Sequence, residues 1–136
     1  MAVFTLALNY AAALYIDEIG DDMGQDYVIK RSTAMDFQET RRTGVREKKL
    51  VTSDECLYQN LILIDMEKGA EVELHKIHCS ETIFLLDGEL EIIFADENVR
   101  LKSGDCCYFK PGSLHGMRCS DGPARFLAVF SPSKID

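Results

Sequence analysis

The chain has 136 residues, which is enough for one buried core and too few for two independent ones. Apolar residues make up 46% of it and charged residues 28%, a globular composition that excludes wholesale disorder. The formal net charge of −8 repels phosphate backbones and anionic lipid headgroups, so we expect no nucleic-acid partner and no membrane partner.

Residues 1–22 are predicted to form an N-terminal extension, followed by a single domain over residues 23–136. The apolar run MAVFTLALNYAAALYI has no Lys or Arg ahead of it and falls short of the roughly 18 residues that a bilayer span needs. We interpret it as a helix or strand that packs on the domain or on a partner subunit. A secretory signal and a natural start at Met23 are the alternatives.

The five cysteines are odd in number, include the adjacent pair Cys106 and Cys107, and show no CxxC spacing. Together with the lack of a convincing export signal, this usage predicts reduced thiols in a cytoplasmic protein.

Beyond the acidic linker at residues 17–22, short runs rich in Val, Ile, Leu, Phe and Tyr alternate with turn residues. The gaps between the runs are too short for crossover helices, so the sheets must be mostly antiparallel. We therefore predict an all-β sandwich or small barrel. The predicted strands lie at residues 27–31, 44–51, 57–66, 70–77, 82–88, 89–95, 99–102, 105–110, 114–120 and 124–131.

All three histidines lie in two short stretches of the sequence, His75 and His78 in the first and His115 in the second. Polar groups that converge inside a barrel from different strands are the usual construction of a small-molecule site. Alternation along a strand places His115, Met117 and Cys119 on one face. The two segments are therefore candidates for one site inside the barrel.

The same two segments carry a family resemblance. Residues 69–88, GAEVELHKIHCSETIFLLDG, and residues 104–115, GDCCYFKPGSLH, resemble the two signature motifs of the cupin superfamily. The resemblance covers residues 44–131 and implies a double-stranded β-helix, the jelly-roll barrel of RmlC-like proteins. The region from TGVREKKL through GAEVELH is closest in pattern to ChrR-type cupin domains, a subgroup that includes zinc-binding anti-sigma domains and metal-dependent dioxygenase relatives.

This chain departs from the first motif at one position. Ile77 stands where the family has its second histidine, and His78 comes one residue later. In an ideal strand a slip of one residue moves a side chain to the opposite face, so His78 can join His75 only through a bulge or at the strand end. In the second motif, Lys110 occupies the usual proline position, and Cys119 replaces an asparagine that is not a metal ligand.

The resemblance implies that His75, Glu81 and His115 hold one divalent metal ion, with His78 a further candidate ligand. Imidazole and carboxylate ligands suit iron, zinc, manganese, nickel or copper. The alternative is a metal-free barrel in which these polar side chains are satisfied by their neighbours. Ile77, Met117 and Cys119 are expected to line the pocket, although a free cysteine is also a common core residue.

We expect a small metal-dependent enzyme whose substrate binds the metal through oxygen atoms, with dioxygenase chemistry ahead of isomerase or lyase chemistry. Its catalytic residues are not identified by the sequence. The alternative function is a non-catalytic sensor or regulatory module that holds zinc or a small ligand. By analogy with the family, a homodimer is expected, because a lone sandwich leaves sheet edges exposed.

Overall fold

A computed structural model describes residues 27–133 of the chain. The chain divides into two units, residues 1–30 and residues 31–136, and all of the described strands belong to the second unit. The predicted N-terminal extension, residues 1–22, lies outside the described residues.

Ten strands make up most of the described chain, and a 3-10 helix at Ser32–Ala34 precedes them. Every pair of neighbouring strands is antiparallel, as the short gaps between apolar runs predicted. The strands are β1 (Gln38–Glu39), β2 (Val45–Val51), β3 (Asn60–Met66), β4 (Glu71–Lys76), β5 (Ser80–Asp87), β6 (Glu89–Ile93), β7 (Asn98–Lys102), β8 (Cys106–Phe109), β9 (Leu114–Arg118) and β10 (Ala124–Ser131).

The strands form two sheets that enclose the core. The larger has the order β1-β2-β3-β10-β5-β8, and the smaller has the order β4-β9-β6-β7. This arrangement confirms the predicted all-β jelly-roll fold. The chain passes from one sheet to the other after β3, β4, β5, β7, β8 and β9, so residues far apart in sequence meet between the sheets.

The core lies between the two sheets and follows the alternation of the strands. In β5, Ile83 and Leu85 are fully buried, whereas Phe84 and Leu86 between and after them are exposed. Full burial of such an aliphatic side chain stabilises the fold by about 1.5–3 kcal/mol relative to exposure. The inner faces of the strands therefore position the interior side chains on which a site can be built.

Gly88 shows why a glycine closes the first sequence motif. Its φ of 82° lies in the left-handed region, and an added Cβ would lie 2.2 Å from the carbonyl oxygen of Pro123. A side chain cannot be accommodated without moving backbone. The turn from β5 into β6 therefore requires glycine at this position.

The strand predicted at residues 27–31 is wrong. Residues 27–31 adopt no strand, and the apolar side chains of Tyr27, Val28 and Ile29 are more than 60% exposed. Their β propensity alone does not make a strand, and no strand of the described part of the chain pairs with them. The short strand β1 was not predicted, whereas each of the other nine predicted runs overlaps one of the strands β2–β10, with β5 and β7 beginning two and one residues earlier than predicted.

Within residues 27–133, no helix has both the length and the apolar character needed to cross a bilayer. All five cysteines are free thiols.

Candidate metal site

A bulge in β4 determines which side chains of that strand point into the barrel. Val72 pairs with Met117 of β9, and His75 pairs with His115, so three steps along β4 match two steps along β9. The extra residue reverses the alternation, and Val72 and His75 both face the interior despite their odd spacing. The bulge lies ahead of His75, not between His75 and His78.

Gly116 gives the bulge its space. A Cβ at this position would lie 2.6 Å from the carbonyl oxygen of Val72 and 3.1 Å from the amide nitrogen of Leu74. The bulged backbone of β4 therefore occupies the volume that a side chain on β9 would fill. The glycine next to His115 and the orientation of His75 are consequently coupled.

Three side chains from β4, β5 and β9 meet between the sheets. The imidazole rings of His75 and His115 have centroids 4.9 Å apart, and Nε2 of His115 lies 2.9 Å from Oε2 of Glu81. His115 is 1% exposed and Glu81 4% exposed, while His75 is half-buried. One ligand atom from each residue can be chosen so that all three lie within 4.8 Å of one another.

The ring of His115 is held by a second aromatic side chain. Phe109 of β8 stacks on it with a centroid separation of 3.8 Å and an interplanar angle of 10°. Phe109 is itself buried and pairs across the sheet with Glu81. Phe109 thus stacks on His115 and lies directly opposite Glu81, the two residues that contact each other in the cluster.

Backbone carbonyls direct the two imidazoles. Nδ1 of His75 lies 2.8 Å from the carbonyl oxygen of Glu73, and Nδ1 of His115 lies 3.2 Å from that of Ser113. A carbonyl can only accept a hydrogen bond, so we assign the proton of each ring to Nδ1. Each Nε2 then carries a lone pair, and this is the arrangement that metal-binding histidines commonly adopt.

The donor set fits a cation. With the proton on Nδ1, the Nε2 lone pair of His115 faces a carboxylate oxygen of Glu81 in a buried site, and two such acceptors repel unless a proton or a cation lies between them. Ligand atoms on one ion, at bond lengths of about 2.0–2.2 Å, are at most about 4.4 Å apart. Small side-chain movements would therefore bring all three residues within bonding distance of one ion.

Electrostatics favour the neutral form of His75. Burial lowers the pKa of the His75 imidazole, and the nearby His115 acts in the same direction, whereas the hydrogen bond to Glu73 opposes it. The neutral ring is the form that binds a metal. Glu73 is held ionised: hydrogen bonds from Arg42 lower the pKa of its carboxyl to about 2.

Two of the predicted pocket residues line the interior cavity beside the cluster. Ile77, at the position of the family's second histidine, and Met117 both contribute to a cavity of about 80 Å3 that His75 and Glu81 also line. Cys119 is buried elsewhere: it does not line this cavity, and its Sγ lies 2.9 Å from the carbonyl oxygen of Glu67. It packs among backbone carbonyls, the alternative that its residue type suggested.

His78 lies outside the cluster. It follows the end of β4, and its side chain is exposed, whereas Ile77 before it and Cys79 after it are buried. Buried and exposed side chains continue to alternate after His75, without a second bulge. No shift of register therefore brings His78, which comes one residue after the motif position, onto the interior face.

Sequence reasoning missed Arg42. It belongs to the basic stretch RRTGVREKK at residues 41–49, and its side chain lines the interior cavity together with His75. Its guanidinium donates two hydrogen bonds to the Glu73 carboxylate, each of 3.0 Å. No local sequence signal identifies this residue, because its position depends on the bulged strand that it contacts.

The cupin domain family matches residues 62–130 of the chain, a range that contains the ligand cluster and both motifs. The chain belongs to the cupin family. No curated protein matches it. The finer resemblance to ChrR-type domains stays a prediction.

Solved structures resemble this cupin over most of its length. An RmlC-like cupin from Shewanella frigidimarina has a TM-score of 0.70 at 21% identity, over 82% of this chain and 96% of that one. The polyketide cyclase RemF from Streptomyces resistomycificus has a TM-score of 0.72 at 17% identity, over 80% and 83%. KdgF from Halomonas sp. has a TM-score of 0.69 at 18% identity, over 76% and 94%. At these identities the likeness establishes the fold alone.

Proposed function

We propose that this cupin is a metal-dependent enzyme that holds one divalent ion through His75, Glu81 and His115 and acts on a small substrate that coordinates through oxygen. The observation that carries the proposal is the cluster itself, in which two imidazoles and one carboxylate from three strands meet in a largely buried site. Two histidines with one carboxylate make the facial donor set of non-haem iron oxygenases, so dioxygenase chemistry is the leading reaction class.

Each residue of the site has a distinct part in this proposal. A bound ion would supply Lewis acidity and open positions for substrate. Phe109 stacks on the His115 ring and limits its rotation, and the backbone carbonyl of Glu73 orients the His75 ring. Ile77 and Met117 make the interior side of the cluster apolar.

The number of protein ligands argues against a structural zinc site. Structural zinc is closed by four protein ligands, whereas His75, Glu81 and His115 are the only cluster of potential ligands among residues 27–133. A buried isoleucine stands at the position where the family would place the fourth ligand. An ion held by these three residues would keep open coordination positions, as an enzyme requires.

A non-catalytic sensor is the second candidate, and one observation favours it. The interior cavity of about 80 Å3 is far smaller than the several hundred Å3 of a usual small-molecule site. A module that holds only an ion, and signals through its surface, would need no larger space.

Metal analysis of protein purified without a histidine tag tests the proposal. We expect about one ion per chain after exposure to iron, zinc, manganese or nickel, and loss of that ion in Glu81→Gln and His115→Ala. Wild-type protein that stays empty with all four metals would overturn it. With ferrous ion bound, nitric oxide then tests for the open positions that an enzyme requires: an adduct visible by electron paramagnetic resonance supports the enzyme, and its absence favours the sensor.

The homodimer and the cytoplasmic location remain proposals of the same kind. Apolar side chains on the outer face of β5 and β8 support the homodimer, since Phe84, Leu86 and Tyr108 are each at least 40% exposed beside the sheet edge formed by β8. Light scattering should give twice the monomer mass for wild type and the monomer mass for Phe84→Glu. The free cysteines support a reducing compartment.

A further inference from the structure

A depression at the mouth of the barrel lies beside the ligand cluster. It has a volume of about 480 Å3, six times that of the interior cavity, and can hold a small molecule. Arg42, His75 and Ile77 line both the depression and the interior cavity. A molecule in the depression is therefore next to His75 without having to enter the narrow interior.

This depression is basic although the chain as a whole carries a net charge of −8. Three side chains that are cationic at neutral pH line it, and no carboxylate of a described residue does. Such a local excess of positive charge attracts anions and concentrates them at the site. The cationic residues are Arg41, Arg42 and Lys76, and the histidines His75 and His78 lie among them.

The cations differ in how far they are neutralised. Glu73 accepts both hydrogen bonds of Arg42 and lies 3.9 Å from Arg41, at the limit of an ion pair. Lys76 makes no ion pair with another described residue and is exposed. Glu73 therefore holds Arg42 in place, while Lys76 and Arg41 retain most of their capacity to pair with a ligand.

The rest of the lining is largely apolar or uncharged. Ile77, Cys79 and Pro132 contribute side chains between the basic residues. A ligand that suits these walls has a short carbon skeleton and an anionic group at its outer end. A planar guanidinium and an ammonium both pair well with carboxylates, so a carboxylate is an anionic group that fits these walls.

We propose that the substrate of this site is a small carboxylate, whose charged group pairs with Lys76 and Arg41 at the mouth while its remaining oxygen reaches the cluster past Arg42 and His75. The proposal rests on the metal-dependent function proposed for the cluster. It adds the substrate class and the residues that select it.

Lactate and lactamide test the proposal because they have nearly the same shape and differ in charge. Their dissociation constants should be measured by calorimetry on the cobalt-loaded protein and on the metal-free protein. We expect lactate to bind more tightly than lactamide to both forms, and its affinity alone to fall when sodium chloride rises from about 50 to about 500 mM.

Charge-removing variants locate the contact. Lys76→Gln and Arg41→Gln should each weaken lactate about two- to fivefold, as for an exposed ion pair, and leave lactamide and the cobalt stoichiometry unchanged. Lys102→Gln, on β7 and away from the mouth, is the matched control and should change neither. Equal affinity for lactate and lactamide, or equal effects of all three variants, would overturn the proposal.

A cluster that binds no metal would give a result that differs from a mouth that binds no carboxylate. If cobalt does not bind, the metal-dependent function fails, and charge-selective binding of lactate to the metal-free protein still decides whether the mouth recognises carboxylates.

Discussion

His75 and His115 lie directly opposite each other on β4 and β9, and their ring centroids are 4.9 Å apart. This pairing exists because the bulge in β4 removes one step of alternation before His75 and because Gly116 leaves room for the bulged backbone. The candidate metal site thus depends on backbone geometry as much as on the identity of its ligands.

Replacing Gly116 by alanine should destabilise the protein and disturb the site together. The added Cβ would lie 2.6 Å from the Val72 carbonyl oxygen, so the two strands must separate, at a cost of about 1–3 kcal/mol in the free energy of unfolding. Gly122→Ala is the control, since a Cβ there meets nothing within 4 Å. Urea denaturation of both variants measures the difference; equal stability would contradict the coupling.

Ile77→His should strengthen metal binding. Ile77 is buried and lines the interior cavity with His75 and Glu81, so an imidazole at this position can supply a further ligand. A direct ligand should contribute at least the roughly tenfold in affinity that outer-shell partners contribute. Competition with a chromophoric chelator measures the affinity, and Ile77→Asn controls for polarity alone. An Asn variant that gains as much as the His variant would argue against ligation.

His78→Ala should leave metal content and affinity unchanged. The side chain is exposed and lies outside the cluster of His75, Glu81 and His115. The comparison is with His115→Ala, for which we expect loss of the ion because a buried ligand is removed. Elemental analysis of the two purified proteins distinguishes them; loss of metal in His78→Ala would show that this histidine moves into the site.

Phe109→Leu should lower both stability and metal affinity. The substitution removes the ring stacked on His115 and leaves a partly filled space in the core, which costs about 1–3 kcal/mol. Tyr108→Leu, on the exposed face of the same strand, should cost less than about 0.5 kcal/mol. Thermal unfolding with and without metal separates the two effects. If Phe109→Leu keeps the wild-type metal affinity, the stack does not position His115.

Glu91→Gln should reduce stability at neutral pH and lose its effect in acid. Hydrogen bonds from Arg118 lower the pKa of the Glu91 carboxyl below its ordinary value of 4.5. A lowered folded-state pKa means that the stabilisation is complete above about pH 4.5 and disappears as pH falls through the folded value. Denaturation curves from about pH 7 to about pH 2.5 should therefore converge for the two proteins. A constant difference across that range would contradict the ion-pair assignment.

The sequence by itself determined the all-β character, the position of nine strands, the glycine turns and the residue types available at the site. These follow from local rules: apolar runs with period two form strands, and glycine at a turn adopts conformations that other residues avoid. The resemblance of residues 69–88 and 104–115 to the two cupin motifs also implied the jelly roll, and the structure and the family match confirm that fold.

Only the tertiary structure decided which of the β4 side chains point inward. Alternation alone places Val72 and His78 on one face of the strand and His75 on the other. The sequence therefore did not decide which of these side chains point inward. The bulge resolves it, and a bulge is a property of two paired strands, because it needs a neighbour that tolerates the extra residue, here at Gly116. The same reason explains why Arg42 was missed: its place beside His75 is set by the Glu73 carboxylate, 31 residues along the chain.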